Sequence, residues 1–137
     1  MTRPFADSNI LVYAFAAGDP YQATAYALLQ DGVTLSVQSL NEFANVLSRK
    51  LRWDSPSVRD ALISLRSVSN AIVPVDLALH DFGIMIFERY RLSIYDSMIV
   101  AAALQAGCDT LYSEDMQDGQ VIEGRLTVIN PFRDLTS

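Results

Sequence analysis

"LSIYDSMIVAAALQAGCDTLYSEDMQDG", residues 92–119, sets a carboxylate at the head of an almost wholly apolar run. Counting from Asp96, the positions three, four and seven along are Ile99, Val100 and Ala103, one face of a helix. Gly107 falls where that helix should stop, and the β-rich run Thr110–Tyr112 follows at once. Directly behind it stand Ser113, Glu114, Asp115 and Asp118. A helix feeding a strand that ends in acids reads as one half of a parallel α/β unit.

The same alternation runs through the chain. Strands are expected at 3–6, 33–37, 72–75, 110–112 and 126–129, and helices at 9–17, 20–31, 39–51, 56–69, 76–90 and 94–106. Asp19-Pro20 and Ser55-Pro56 each read as an N-cap followed by proline, and Gly32 marks another helix end. Leu40, Phe43, Ala44 and Leu47 recur at helical spacing. No repeat or linker divides the chain, so 1–137 is expected to be a single domain of α/β class with a central, mostly parallel sheet of about five strands.

That topology says which side chains can meet. Parallel strands all finish at one edge, where ligands bind, and each crossover helix running back starts near the same edge. Asp7 closes the first strand, and Asp115 follows the fourth. Glu42 is expected in the first turn of the helix after the second strand, and Asp96 in the first turn of the helix leading into the fourth. Each has an ordinary alternative: Ser39 with Glu42, and Ser93 with Asp96, fit capping boxes, and Asp7 and Asp115 fit turns. Glu42 even points away from its helix's apolar stripe, as a solvated residue does. Asp96 is harder to dismiss, because an uncompensated buried carboxylate costs several kcal/mol. Two carboxylates about 5 Å apart repel by roughly 3 kcal/mol at an effective dielectric near 20. Four together call for protons or a cation. Oxygen donors with no nearby His or Cys favour Mg²⁺ or Mn²⁺ over zinc.

Composition excludes several classes. Half the residues are apolar and mean hydropathy is +0.19, which argues against disorder. No apolar stretch reaches the roughly 20 residues that span a bilayer, so no membrane role is expected. The segment from Arg3 through "NILVYAFAAG" faintly imitates a signal peptide, but its apolar run is short and Asp7, Ser8 and Asn9 interrupt the approach. With Cys108 as the only cysteine, no intrachain disulfide or cysteine-rich metal site exists, and a cytoplasmic location is expected. The net charge of −6 argues against a nucleic-acid partner at first sight. Yet the cations are nine Arg and one Lys, and guanidinium forks suit phosphate. Four acids given over to a divalent cation would leave the remaining surface close to neutral.

"FADSNILVYAF", "SVQSLNEFANVL", "YDSMIVAAALQAGCDTLYSEDMQDGQVI" and "VINPF", taken in this order and spacing, resemble a PIN-domain nuclease of the VapC toxin type. The resemblance covers nearly the whole chain. It implies a three-layer α/β/α sandwich and a metal-dependent ribonuclease, the toxin of a type II toxin–antitoxin pair. Its acidic quartet falls on Asp7, Glu42, Asp96 and Asp115, as catalytic residues and as direct or water-mediated ligands of Mg²⁺ or Mn²⁺. Asn9 and Ser113 match its supporting polar positions. Glu114 and Asp118 compete with Asp115 for the fourth acidic role. The resemblance also implies a cognate antitoxin and a homodimer. Phe82, Ile86 and Phe87, in the segment 78–90, are the apolar residues expected to be left over for such an interface.

For RNA contact, "SRKLRW" (48–53) and "ERYRL" (88–92) interleave basic and aromatic residues, making Arg49, Lys50, Arg52, Arg89 and Arg91 the candidates. A solvated helix end is the ordinary alternative. His80 stands alone, with no Ser-His-Asp set around it. Three rival readings remain. A phosphatase would need a second Asp two places after the first, where this chain has Asn9. A phospho-receiver would need a lysine after a late strand, and the only lysine is Lys50. A non-catalytic RNA-binding module would not need a complete quartet.

Overall fold

The computed structural model describes residues 2–135. Its elements are β1 (Pro4–Ala6), α1 (Ser8–Ala14), α2 (Gln22–Asp31), β2 (Val33–Ser36), α3 (Val37–Arg49), α4 (Ser55–Val68), β3 (Ser69–Val73), α5 (Leu77–Tyr90), α6 (Ile94–Gln105), β4 (Thr110–Tyr112), β5 (Val121–Ile122) and β6 (Leu126–Ile129). The strands form one six-stranded sheet in the order β3-β2-β1-β4-β6-β5, parallel except for β5. The expected mostly parallel sheet is present, with one strand more than expected. The additional strand, β5, has two residues and exists through its antiparallel pairing with β6, a signal no local window carries.

Two apolar clusters give the three layers. Phe5 faces the cluster made by α5, α6, Leu111 and Val128, while its neighbour Ala6 faces the cluster made by α1 to α4. Alternation along a strand thus sends successive side chains of β1 into different cores. The centre of the sheet is also where its winding reverses. From β1 the chain builds outward through β2 and β3, and from β4 outward through β6 on the other side. β1 and β4 pair directly, Pro4 with Thr110, Phe5 with Leu111 and Ala6 with Tyr112. Their carboxyl ends therefore flank the switch-point crevice.

Helix α6 is the most enclosed element. Ser97–Leu104 are all buried, so the stripe read from Asp96 extends round the whole helix. Each large aliphatic side chain buried there contributes about 1.5–3 kcal/mol, which makes α6 a rigid mount for Asp96. Gly83 lets α5 approach it closely, since a Cβ at that position would run into the Met98 thioether.

Several boundaries differ from expectation, each for a local reason. Helix α3 starts at Val37, because Ser36 and Ser39 cap each other reciprocally and Ser36 ends β2. Glu42 therefore lies in the second turn, and its expected capping box with Ser39 does not form. Asp54 rather than Ser55 caps α4, moving Pro56 to the second helical position. Asp19 accepts from the Tyr21 amide at 2.8 Å in a turn of its own, so α2 waits until Gln22. Strand β3 stops at Val73, before Pro74, which has no N–H to offer a ladder. Of the apolar residues expected to be left over on α5, Ile86 is fully buried, Phe82 packs against the core, and Phe87 is exposed. Among the described residues no helix is long and apolar enough to cross a membrane.

Candidate active site

The crevice beyond β1 and β4 collects the four acids from four different elements. Asp7 is the N-cap of α1, and its amide continues the sheet by donating to the Tyr112 carbonyl at 3.0 Å. It is only 4% exposed. One carboxylate oxygen accepts from the Ser8 amide at 2.7 Å and the other from the Ser113 hydroxyl at 2.9 Å. Burial pushes the Asp7 carboxyl up to about 6; Ser113 and Ser8 oppose the rise, and the charges of Asp96 and Glu42 add to it.

Asp96 is half-buried in the first turn of α6, where Ser93 caps the helix by accepting from the Asp96 amide at 3.1 Å. Its carboxyl is raised, mainly by burial, against the pull of Ser93 and with a further push from Asp115. Glu42 accepts from the Gln38 side chain at 3.2 Å, one helical turn earlier on α3. The same amide reaches the Tyr95 carbonyl at 3.0 Å, so Gln38 ties the start of α3 to the start of α6.

Asp115 is exposed, on the loop after β4. Asn9 donates its amide to the Asp115 carboxylate at 3.0 Å and accepts from the Glu114 amide at 3.4 Å. Ser113, fully buried, accepts from the amides of Asp115 and Met116 at 3.3 and 3.4 Å. Asn9 and Ser113 thus touch the acids directly. The two competitors of Asp115 have other partners. Glu114 accepts from the Tyr13 hydroxyl at 2.7 Å. Asp118 accepts from the Asn130 amide at 2.8 Å and from Arg133 at 2.9 Å, fastening the loop to the segment after β6.

The chemistry of this donor set suits a hard cation. All four acids supply oxygen, and neither ion pair among the described residues, Arg89–Glu123 or Arg133–Asp118, involves the quartet. The acids are linked as neighbours rather than packed as a cage. No three acidic, His or Cys side chains among the described residues converge to metal-holding distance.

The basic candidates fall on two segments, the end of α3 and the end of α5. Arg49 ends α3, seven residues beyond Glu42 and so roughly 10 Å farther along the helix axis, with Lys50 and Arg52 just past it. All three are exposed. Arg89 donates to both oxygens of Glu123 at 2.6 and 2.7 Å, and Arg91 caps the end of α5 in the left-handed conformation. His80 is exposed near the start of α5. The residues missed from sequence are Tyr13 and Gln38, each one helical turn from a residue singled out there, Asn9 and Glu42. That i, i+4 spacing was the available signal.

Solved structures of other proteins share this architecture. VapC20 of Mycobacterium tuberculosis, described as a toxin cleaving the sarcin-ricin loop, aligns with a TM-score of 0.64 at 20% identity, over 82% of this chain and 89% of its own. A toxin–antitoxin complex from Klebsiella pneumoniae aligns with a TM-score of 0.68 at 22% identity, over 95% of this chain and 98% of its own. At such identities the likeness is one of fold. No curated protein matches the sequence. The PIN domain family model, however, matches residues 5–117, from β1 through the acidic loop, and the chain belongs to the PIN-domain family.

Proposed function

We propose that this protein is a metal-dependent ribonuclease that hydrolyses RNA phosphodiester bonds, acting in the cytoplasm as a single-domain toxin of a type II toxin–antitoxin pair. The observation that carries the reading is that, in a PIN-family chain, Asp7 lies near Glu42 and Asp96, and Asp96 near Asp115, at the β1–β4 switch point, with no ion pair to any of the four among the described residues.

Asp7, Glu42 and Asp96 are the residues that would hold a first Mg²⁺ or Mn²⁺, directly or through water, with Asp115 completing a second site. Such a cation, when bound, supplies activation of water, orientation of the phosphate and stabilisation of the leaving oxygen. The chain's own polar groups orient the ligands. Ser113 holds one oxygen of Asp7, Asn9 holds Asp115, and Gln38 holds Glu42. The buried position of Asp7 excludes water from its flank and keeps it reluctant to ionise without a counter-charge. Arg49, Lys50, Arg52 and Arg91, all exposed, are proposed to take the phosphates of a longer RNA, while Arg89 must leave Glu123 to join them.

The phosphatase and receiver readings lack their reagents. Asn9 stands where a second Asp would be and spends its amide on Asp115, and Lys50 follows the far end of α3. Cleavage of RNA with Mg²⁺ or Mn²⁺, against a chelator control, tests the assignment. No cleavage under any metal condition would reduce the protein to a binding module. A homodimer is proposed as well, with Phe87 the one residue of the expected apolar set that stays exposed, and light scattering at tens of micromolar checks it.

A further inference from the structure

Helix α1 presents two side chains, one turn apart, to the acidic loop: Asn9 meets Asp115 and Tyr13 meets Glu114. The Tyr13 hydroxyl is held firmly in place. Its ring lies edge-on to Tyr21, at a centroid distance of 5.0 Å, and edge-on to Phe132, at 5.1 Å. Tyr21 and Phe132 are themselves stacked at 4.3 Å, and Phe132 is fully buried. A phenol whose ring packs edge-on against a stacked aromatic pair is a restrained donor, and the carboxylate it binds is restrained with it. Asp115, by contrast, is exposed on the short loop, where Asn9 holds its carboxylate and Ser113 its amide.

Resting on the nuclease reading above, we propose that Tyr13 and Glu114 are positioning residues: their hydrogen bond anchors the loop after β4 so that Asp115 faces Asp96. Glu114 is then not one of the metal-holding acids. The alternatives differ in what they ask of Glu114. An anchor needs an oxygen that accepts from the Tyr13 hydroxyl, and a glutamine amide provides one. A metal ligand needs the negative charge, which glutamine lacks.

The test uses Glu114→Gln, Glu114→Ala and Tyr13→Phe in the full chain. RNA cleavage is measured with Mg²⁺ or Mn²⁺, and amide hydrogen exchange at Asp115 and Met116 in the metal-free protein. Glu114→Gln should cleave within about threefold of the native protein and leave exchange unchanged. Glu114→Ala and Tyr13→Phe should lower kcat about 10- to 100-fold, the scale of a slightly misplaced group, with KM nearly unchanged. Both should speed exchange at Asp115 and Met116 while melting stays within a few degrees. If Glu114→Gln is as inactive as Asp115→Asn, Glu114 acts through its charge and the proposal is wrong. If Glu114→Ala and Tyr13→Phe cleave normally with native exchange, the bond does no positioning. Absence of cleavage by the native protein would count against the nuclease reading alone, because the exchange measurement still decides whether the anchor holds the loop.

Discussion

Ser113 donates its hydroxyl to Asp7 across 2.9 Å, joining the ends of β1 and β4, 106 residues apart in the chain. The same oxygen accepts from the Asp115 and Met116 amides, so one buried hydroxyl orders two of the acids. Ser113→Ala leaves a buried Asp7 oxygen without its donor. A loss of stability of about 1–3 kcal/mol is expected, measured by urea denaturation of the metal-free protein. An unchanged midpoint would mean that water replaces the hydroxyl.

Removing charge from the quartet should separate activity from stability. Asp7→Asn and Asp96→Asn are each expected to abolish RNA cleavage while leaving the chelated protein as stable as before, or more so. For Asp7 the expected gain at neutral pH is up to about 3 kcal/mol, since its carboxyl is raised by about two pKa units when folded. Cleavage at native rates by either variant would refute the proposed site.

Binding of Mg²⁺ or Mn²⁺ to the native state should raise the melting temperature. At a hundredfold excess over Kd the stabilisation is about 2.7 kcal/mol, roughly 5–10 °C for a chain of this size. Asp96→Asn should lose most of that rise. Equal rises in both proteins would place the ion elsewhere.

The pH dependence of the metal-free protein follows from Asp7. Its folded value of about 6 lies above the ordinary 3.8, so the native state holds this proton more tightly than the unfolded chain does. The stabilisation is complete below about pH 3.8 and is lost as pH rises through about 6, an effect of roughly 3 kcal/mol. Carboxylates held low by their partners, such as Asp118 and Glu123, act in the opposite sense at more acidic pH. The informative measurement is therefore the difference between native protein and Asp7→Asn across pH 4–7. A flat difference would show that Asp7 is not raised.

A concentrated patch of carboxylates also invites a cation from another chain. The proposed antitoxin should place an Arg against Asp7, Asp96 and Asp115, replacing the metal's charge with a two-pronged donor. Its binding segment should be disordered alone and fold on docking. Copurification from the native host with mass spectrometry is the check. Recovery of this chain alone, with no effect of its expression on growth while RNA is still cut in vitro, would remove the toxin role and leave the nuclease role standing.

Much of this architecture was legible along the chain because its signals are local. Helical periodicity, the Ser93 cap and the stop at Gly107 each act within a few residues, and they located α6 and placed Asp96 in its first turn. Parallel topology then put Asp7, Glu42, Asp96 and Asp115 toward one edge of the sheet without any knowledge of strand order. The Ser39 hydroxyl reads as the start of α3, but the folded chain, pairing β2 up to Ser36, makes Ser36 the cap. The pairing of β1 with β4, the two-residue β5, and the partners of three adjacent-looking acids were decided by tertiary structure alone. Glu114 turns to Tyr13, Asp115 to Asn9, and Asp118 to Asn130 and Arg133. The physical reason is range. Periodicity and capping are written into neighbouring residues, whereas the bonds that sort these carboxylates form between residues that only the assembled sheet brings together.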